Sequence, residues 1–273
     1  MPIITLTTDF GTRDYTVAAV KGALLSAIES VTIVDITHEI AAYNIVEAAY
    51  TLRAAYPNFP KGSIHIIGVK AEKTPLHKHL IVKIKGHFFI GADTGFFMLL
   101  AGSDKIEKII SFSHHNAKSI FPTKDVFVKI AAKIVNDNDI RKIGTSITSV
   151  TKYNAINPRI SVDNELIGHI IYIDQFGNAV TDISKEVFEN SNQNNKYKIK
   201  AGGTTIKRIY KNFDAIQDYN LPASKRQKPG VAMAVFNSLN YLEIALYKSN
   251  PKHGNAFNLL GLKVGDSIKI IFE

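Results

Sequence analysis

The sequence predicts an α/β domain built on a largely parallel sheet, followed by a smaller all-β barrel domain. Three observations carry that expectation. From Ile3 to about Val135, strand-like runs (IITLTT, VTIVDI, SIHIIGV, LIVKI, FFIGA) alternate with segments of helical period, the pattern of an α/β layer. From about Ile160 the chain reads as strand and turn: ELIGHIIYID, NAVTDI, KYKIKA, TTIKRIY, GVAMAVF, YLEIALY and DSIKIIF. Between them runs the polar stretch DNDIRKIGTSITSVTKYNAINPR, and the expected domains are 1–159 and 160–273. With 273 residues, 45% of them hydrophobic, the chain is long enough for such cores.

Each helix has a local reason. Tyr15 to Glu29 follows the first strand with helical spacing. A second helix begins at Asn44, where Asn-Ile-Val-Glu resembles a capping box: the Asn side chain takes an orphan amide and Glu47 reaches back. A third fits DVFVKIAAKIV, Asp125 to Val135.

Composition removes several function classes. The absence of cysteine excludes disulfides, zinc-thiolate sites and thiol nucleophiles. No run approaches the roughly eighteen apolar residues of a membrane span, and MPIITLTTDF lacks the basic start and cleavage site of a signal peptide. A cytoplasmic protein without membrane association is the expectation. The net charge of +9 raises nucleic acid as a partner, but the lysines are scattered. The densest group, SKRQKPG at Ser224 to Gly230, has no interleaved aromatics and reads as a solvated loop, so nucleic acid is not expected.

In open α/β sheets, ligands bind outside the carboxyl ends of the strands. Here Asp9 follows IITLTT, Asp35 and His38 close VTIVDITH, Lys70 follows HIIGV, and Asp93 follows FFIGA. Any one of these is as well explained by a charge leaving the sheet into water; together on one edge they favour a site. Asp9, beside the Gly11 turn and with Asp14 close behind, suits a ribose diol, because an ionised carboxylate accepts two donors. The Asp-Phe-Gly within TDFGTRD is not a kinase signature, since no Gly-rich loop, His-Arg-Asp or strand lysine precedes it. In the second domain, IDQFGNAVTDI places Asp174, Phe176 and Asn178 around a Gly turn. That is a hairpin in its plain reading; functionally, Phe176 can stack on a planar heterocycle while Asn178 hydrogen-bonds its edge. Asn237, Ser238 and Asn255 are further polar positions, each equally at home in a turn.

The ordered set TTDFGTRDYTVAAVKG, VDITHEI, FPKGSIHIIGV, GADTG, FPTKDVFVKIAAKI, IDQFGNAVTDI, NSLNYLEIAL and GNAFNLLGLKVGD resembles, nearly end to end, the S-adenosylmethionine-dependent fluorinase and chlorinase family. Within it the chain is most similar to the hydroxide adenosyltransferase branch, the adenosine-forming S-adenosylmethionine hydrolases. The resemblance implies an N-terminal α/β domain with a mixed sheet and a C-terminal β-barrel. It also implies a homotrimer with inter-subunit sites, and displacement of methionine at the ribose C5′ of S-adenosylmethionine. No cofactor or metal is implied beyond that substrate. By the same resemblance Asp9 holds the ribose diol, Asp14 and Asp174 lie near the methionine ammonium, and Phe121, Phe176 and Phe213 surround ribose and adenine. Asn178 contacts adenine and Ser238 the methionine carboxylate.

The activating positions depart from the family pattern. Where the hydroxide branch has an Asp, an Arg and a His, this chain has Lys70, His77 and Pro122, and its loop glycines are Glu72 and Thr74. The tyrosine and small hydroxylic residue of the halogenase loop are also missing, Ala92 and Thr94 replace a proline and an asparagine, and Leu239 stands at the halogenases' arginine. Three readings follow. One is a hydrolase with a rebuilt constellation, Lys70 and His77 first among its members, with His79, His114 and His115 as further candidates. The second is a non-catalytic paralogue that senses an adenosine ligand. In the third, His77, His79, His114 and His115 bind a metal, at weak spacings.

Overall fold

The computed structural model describes residues 1–113, 119–137, 139–154, 157–192, 196–250, 252 and 254–273. The chain divides into two units, Met1–Asn154 and Ala155–Glu273. His114 and His115 lie outside the described residues.

The first unit is a seven-stranded sheet made of β1 (Ile3–Thr8), β2 (Thr32–Thr37), β3 (Ile64–Gly68), β4 (His79–Ile84), β5 (His87–Ala92), β6 (Ile106–Phe112) and β7 (Thr145–Ser146), in the order β2-β1-β3-β5-β4-β6-β7. Ile4 and Leu6 of β1 face one apolar layer, packed with Val20 and Leu24 of helix α1 (Thr16–Ala27). The opposite layer holds Ile67 and Phe89 against Ala48 and Leu52 of α2 (Ile45–Ala55) and the phenylalanines of α3 (Phe96–Ala101). The last helix, α4 (Val128–Asp137), returns to the first layer through Val128, Ile130 and Ile134. Burial on both faces is why the strands carry continuous apolar runs rather than alternation.

The sheet is mixed, and parallel pairing is less dominant than expected. The pairs β1–β2, β1–β3 and β3–β5 are parallel, whereas β4–β5, β4–β6 and β6–β7 are antiparallel. The parallel half therefore brings the C-terminal ends of β2, β1, β3 and β5 to one edge. At α2, Asn44 Oδ1 accepts from Glu47 N at 3.1 Å, but Glu47 Oε2 takes Ala41 N–H and the Asn44 side-chain amide. Only half of the expected box forms, because the Asn44 backbone N–H is already given to Ala41 O. The third predicted helix opens earlier, with a π-helical turn over Thr123–Phe127.

The second unit is a nine-stranded, barrel-like sheet. Its strands are β8 (Arg159–Ile160), β9 (Glu165–Ile173), β10 (Ala179–Ser184), β11 (Tyr197–Ala201), β12 (Thr204–Ile206), β13 (Ile209–Tyr210), β14 (Ala232–Phe236), β15 (Tyr241–Leu246) and β16 (Ser267–Phe272). The path runs β12-β11-β16-β9-β10-β15-β14-β13 with β8 on β9, and β12 comes into contact with β14, which curls the sheet back on itself. Leu166, Ile170, Ile183, Ile199, Leu242 and Ile268 fill its core. The unit is not wholly β: α5 (Lys185–Asn192) packs Phe188 against that core, and α6 (Ala256–Leu259) follows Asn255. Both helices are short, and α5 has too little helical period to stand out from turn sequence. No helix among the described residues is long and apolar enough to cross a membrane.

One buried polar network stands in the first sheet. Thr5 Oγ1 and His65 Nδ1 share a hydrogen bond of 2.7 Å, His65 Nε2 meets His87 Nδ1 at 3.1 Å, and Phe89 stacks on His65 at 4.7 Å. Burial, and then the His87 charge, push the His65 imidazole down to about 3. Its folded value lies below the unfolded one, so the stabilisation is present above about pH 6.5 and is lost as pH falls towards 3. His65→Gln should therefore shrink the drop in melting temperature between pH 7 and pH 4.5 relative to wild type, measured by circular dichroism.

Candidate functional site

The loops after the parallel strands carry the polar residues expected there, and the structure sorts them. Asp9 is half-buried, and its Oδ2 accepts the Tyr43 backbone N–H at 2.8 Å. Burial raises its pKa, opposed by the Tyr43 bond and reinforced by the nearby Glu72 charge. Among the described residues no side chain hydrogen-bonds or ion-pairs with this carboxylate. Behind it, Thr8 Oγ1 shares a 2.8 Å hydrogen bond with His38 Nδ1, while His38 Nε2 lies 3.1 Å from Asp35 Oδ1, which Lys21 also neutralises. Burial pushes Asp35 up, but its bonds to Lys21 and His38 outweigh that, and its pKa is lowered. These three residues brace the strand end rather than offering free groups.

Asp93 is committed to structure as well. It is 6% exposed, and its carboxylate accepts Thr151 N–H at 2.9 and 3.0 Å and the Thr151 hydroxyl at 2.9 Å. His79 is buried, with Nε2 2.9 Å from Ala71 O and its ring edge-on to Phe127. Burial lowers its pKa, and so does Lys73, against the Ala71 contact. Lys70 is exposed with φ +47°, and His77 sits in a turn closed by the Thr74 hydroxyl accepting His77 N–H at 3.0 Å. Neither the Lys70 nor the His77 side chain forms a hydrogen bond or ion pair among the described residues. The structure thus gives no contact that makes them a catalytic pair. No group of three or more His, Asp or Glu there is arranged to hold a metal.

Around Gly68, at the end of β3, the chain is tightly drawn together. A methyl at that position would lie 2.9 Å from Thr8 Cγ2, 3.1 Å from the Phe10 ring and 3.1 Å from Thr123 Oγ1. Phe10 packs edge-on against Phe121 at 5.6 Å, and Lys124 lies over the Phe121 ring. Pro122 is buried, Asp14 exposed. Thr123 is not among the predicted site residues; its hydroxyl is buried and, among the described residues, has no hydrogen-bond partner. Nothing in the sequence marks it, since an orphaned hydroxyl is defined only by its surroundings.

In the second unit, Asp174 organises its loop. Its Oδ1 accepts Phe176 N–H at 2.9 Å and Asn178 N–H at 2.8 Å, and its Oδ2 accepts the Asn178 side-chain amide at 3.0 Å. Gly177 has φ +79°, and the Asn255 amide lies flat where a Cβ would stand, 1.9 Å from that position. The ring of Phe176 is left 62% exposed. Phe213 opens a 3-10 turn capped by Asn212, and Ser238 is exposed in the turn held by Asn237 Oδ1, which accepts Leu239 and Tyr241 N–H. Glu243, buried in YLEIALY, escaped sequence reasoning, although a lone acid in an apolar strand was the available signal. A separate open groove of about 460 Å3, lined by Lys185, Phe188, Ile209, Tyr210, Lys211, Phe236 and Asn240, contains none of the predicted site residues.

Comparison with known proteins adds an independent line. The family described as the SAM hydroxide adenosyltransferase N-terminal domain matches residues 4–144, and that of the corresponding C-terminal domain matches residues 168–269. A protein of Methanocaldococcus jannaschii named (R)-S-adenosyl-L-methionine hydrolase is 30% identical, with 100% of this chain and 97% of the relative covered. A fluorinase of Nocardia brasiliensis is 23% identical over 89% of this chain and 90% of its own. The crystal structure of an uncharacterized conserved protein from Thermotoga maritima shares the fold, with a TM-score of 0.80 at 22% identity, covering 98% of this chain and 99% of that one.

The Asp174 loop makes a local prediction. Gly203 also has positive φ, +78°, but open space around it. Gly203→Ala should cost about 1 kcal/mol, the left-handed penalty alone, whereas Gly177→Ala should cost clearly more because Asn255 must move. Urea unfolding of the two variants measures the difference.

Proposed function

The chain belongs to the SAM hydroxide adenosyltransferase family, and from that premise we propose that it binds S-adenosylmethionine and displaces methionine from the ribose C5′ with water. The water oxygen forms the new bond to C5′ as the C5′–S bond breaks. The electron pair leaves on sulfur, and one proton leaves the water, giving adenosine, methionine and H+. Because the sulfonium departs as a neutral thioether, no general acid is required. The step depends on alignment and on stripping bulk water from the nucleophile.

The observation that carries this reading is Asp9. One carboxylate oxygen is fixed by Tyr43 N–H, and among the described residues no side chain competes for the rest of the group, which leaves an acceptor for two ribose hydroxyls at the expected strand edge. Phe121, edge-on to Phe10, supplies an aromatic wall, and in the second unit Asp174, Phe176, Asn178, Phe213 and Ser238 retain the types suited to methionine and adenine, with Asp14 near the ammonium. A homotrimer, its sites formed from two subunits, is part of the proposal. S-adenosylmethionine is the substrate, and no further cofactor is invoked.

Lys70 and His77 occupy the positions of the family's activating Asp and Arg, with Pro122 at its His. Next to Pro122, the Thr123 hydroxyl is buried without a hydrogen-bond partner among the described residues, a group left unsatisfied until something donates to or accepts from it. A binder without turnover is the second reading, favoured by the reversed charge at exposed Lys70. The two separate on one sample: incubation with S-adenosylmethionine should release adenosine and methionine in equal amounts, linearly in time, by chromatography. Asp9→Ala should weaken adenosine binding in calorimetry by about tenfold or more, the loss of charge-assisted hydrogen bonds. Binding without product supports the second reading, and no binding to any 5′-substituted adenosine sinks both. Thr123→Val should slow product formation about tenfold or more with adenosine affinity unchanged; an unaltered rate removes Thr123 from the mechanism.

A further inference from the structure

Strand β15 lies between β10 and β14, and the register is informative. Glu243 is opposite Val180 on one side and Val235 on the other. Side chains two residues apart share a face, so Asn178, just before β10, and Asn237, just after β14, are its diagonal neighbours on that face. Such diagonals are within reach of a long side chain, and both amides act on the Glu243 carboxyl, favouring its charged form. It is 6% exposed and, among the described residues, has no cation partner.

The two asparagines hold different loops. Asn178 donates its side-chain amide to Asp174, whose other oxygen holds the Phe176 and Asn178 N–H groups. Asn237 Oδ1 accepts Leu239 N–H at 3.0 Å and Tyr241 N–H at 3.1 Å, which fixes the turn carrying Ser238. The same face holds Met233, Val235, Ala245 and Tyr247, with Tyr210 and Ile216 packed over them on either side of Phe213 in sequence.

We propose that Glu243 is a positioning residue that couples the Asp174–Asn178 loop to the Asn237–Tyr241 turn, so that both present their side chains to one adenosine ligand in a fixed relation. This rests on the ligand class proposed above. An acid buried without a cation is unfavourable unless its hydrogen bonds are filled, and here both partners lie on loops rather than in the core. Burial raises its pKa, as does Asp174, against the two amides.

The test compares three variants by adenosine calorimetry and by amide hydrogen exchange of the ligand-free protein. Glu243→Gln keeps the length and hydrogen-bonding capacity and should bind adenosine within about threefold of wild type. Glu243→Met fills the same space without the hydrogen bonds, and Glu243→Asp keeps the charge but falls one methylene short. Each should weaken binding about tenfold or more and speed exchange at Asn178, Leu239 and Tyr241 together. If Met does not fold, Asp carries the comparison. Wild-type affinity and exchange in Glu243→Asp, or faster exchange in one loop only, overturns the proposal. A wild-type protein that binds no adenosine sinks the ligand reading, and the exchange result then decides the coupling by itself.

Discussion

Much of the first unit's edge is arranged so that a single backbone amide can meet a half-buried carboxylate. Among the described residues Asp9 has no cation paired with it, and the Tyr43 N–H at 2.8 Å is what holds it. Tyr43 presents that amide from φ +62°, an unfavourable conformation for an aromatic residue, of the kind that persists only when its surroundings impose it. Those surroundings are visible: Asn44 caps α2, Glu47 reaches back to Ala41 N–H, Ile40 N–H bonds Thr8 O and Gly11 N–H bonds His38 O. The Thr8–His38–Asp35 chain anchors the same loop from below. Strand end, loop and helix start therefore act as one support, and the ribose-binding role proposed for Asp9 depends on all of it.

The second unit repeats the strategy with side chains. Asp174 folds its loop around Gly177, Asn255 lies where only glycine permits, and Glu243 stands behind both polar loops. The ring of Phe176, which takes no part in this scaffold, is left exposed. Rigid polar supports behind exposed contact groups suit a site that must order a flexible nucleoside with little cost at binding. They also suit a displacement whose barrier is lowered by alignment rather than by covalent chemistry.

The strands were legible because each is a bounded apolar run, and the α2 start because Asn and Glu stand at capping distance. Strand direction was not. LIVKI and FFIGA are apolar on both faces, so nothing in their periodicity tells parallel from antiparallel; the signal lay in Lys85 and Gly86, which both take positive φ in the tight turn joining β4 to β5. Asp9 and the Asp174–Asn178 loop were legible as polar groups at chain reversals. Asp93 was misleading, because whether a strand-end carboxylate is free depends on Thr151, far away in sequence. Thr123 was invisible for the same reason, and the lone acid Glu243 in an apolar strand signals burial but not its partners: an orphaned hydroxyl, and diagonal reach across two strands, are properties of the assembled sheet.

Neither the Lys70 nor the His77 side chain makes a hydrogen bond or ion pair among the described residues, and the C5′–S bond of a sulfonium breaks without a proton for the leaving group. The most direct measurement is the mass of adenosine formed from S-adenosylmethionine in water enriched in oxygen-18. Direct attack of water at C5′ predicts one heavy oxygen, located at the 5′ position, in every product molecule. Unlabelled adenosine, or cleavage at a different bond, would contradict the proposed reaction.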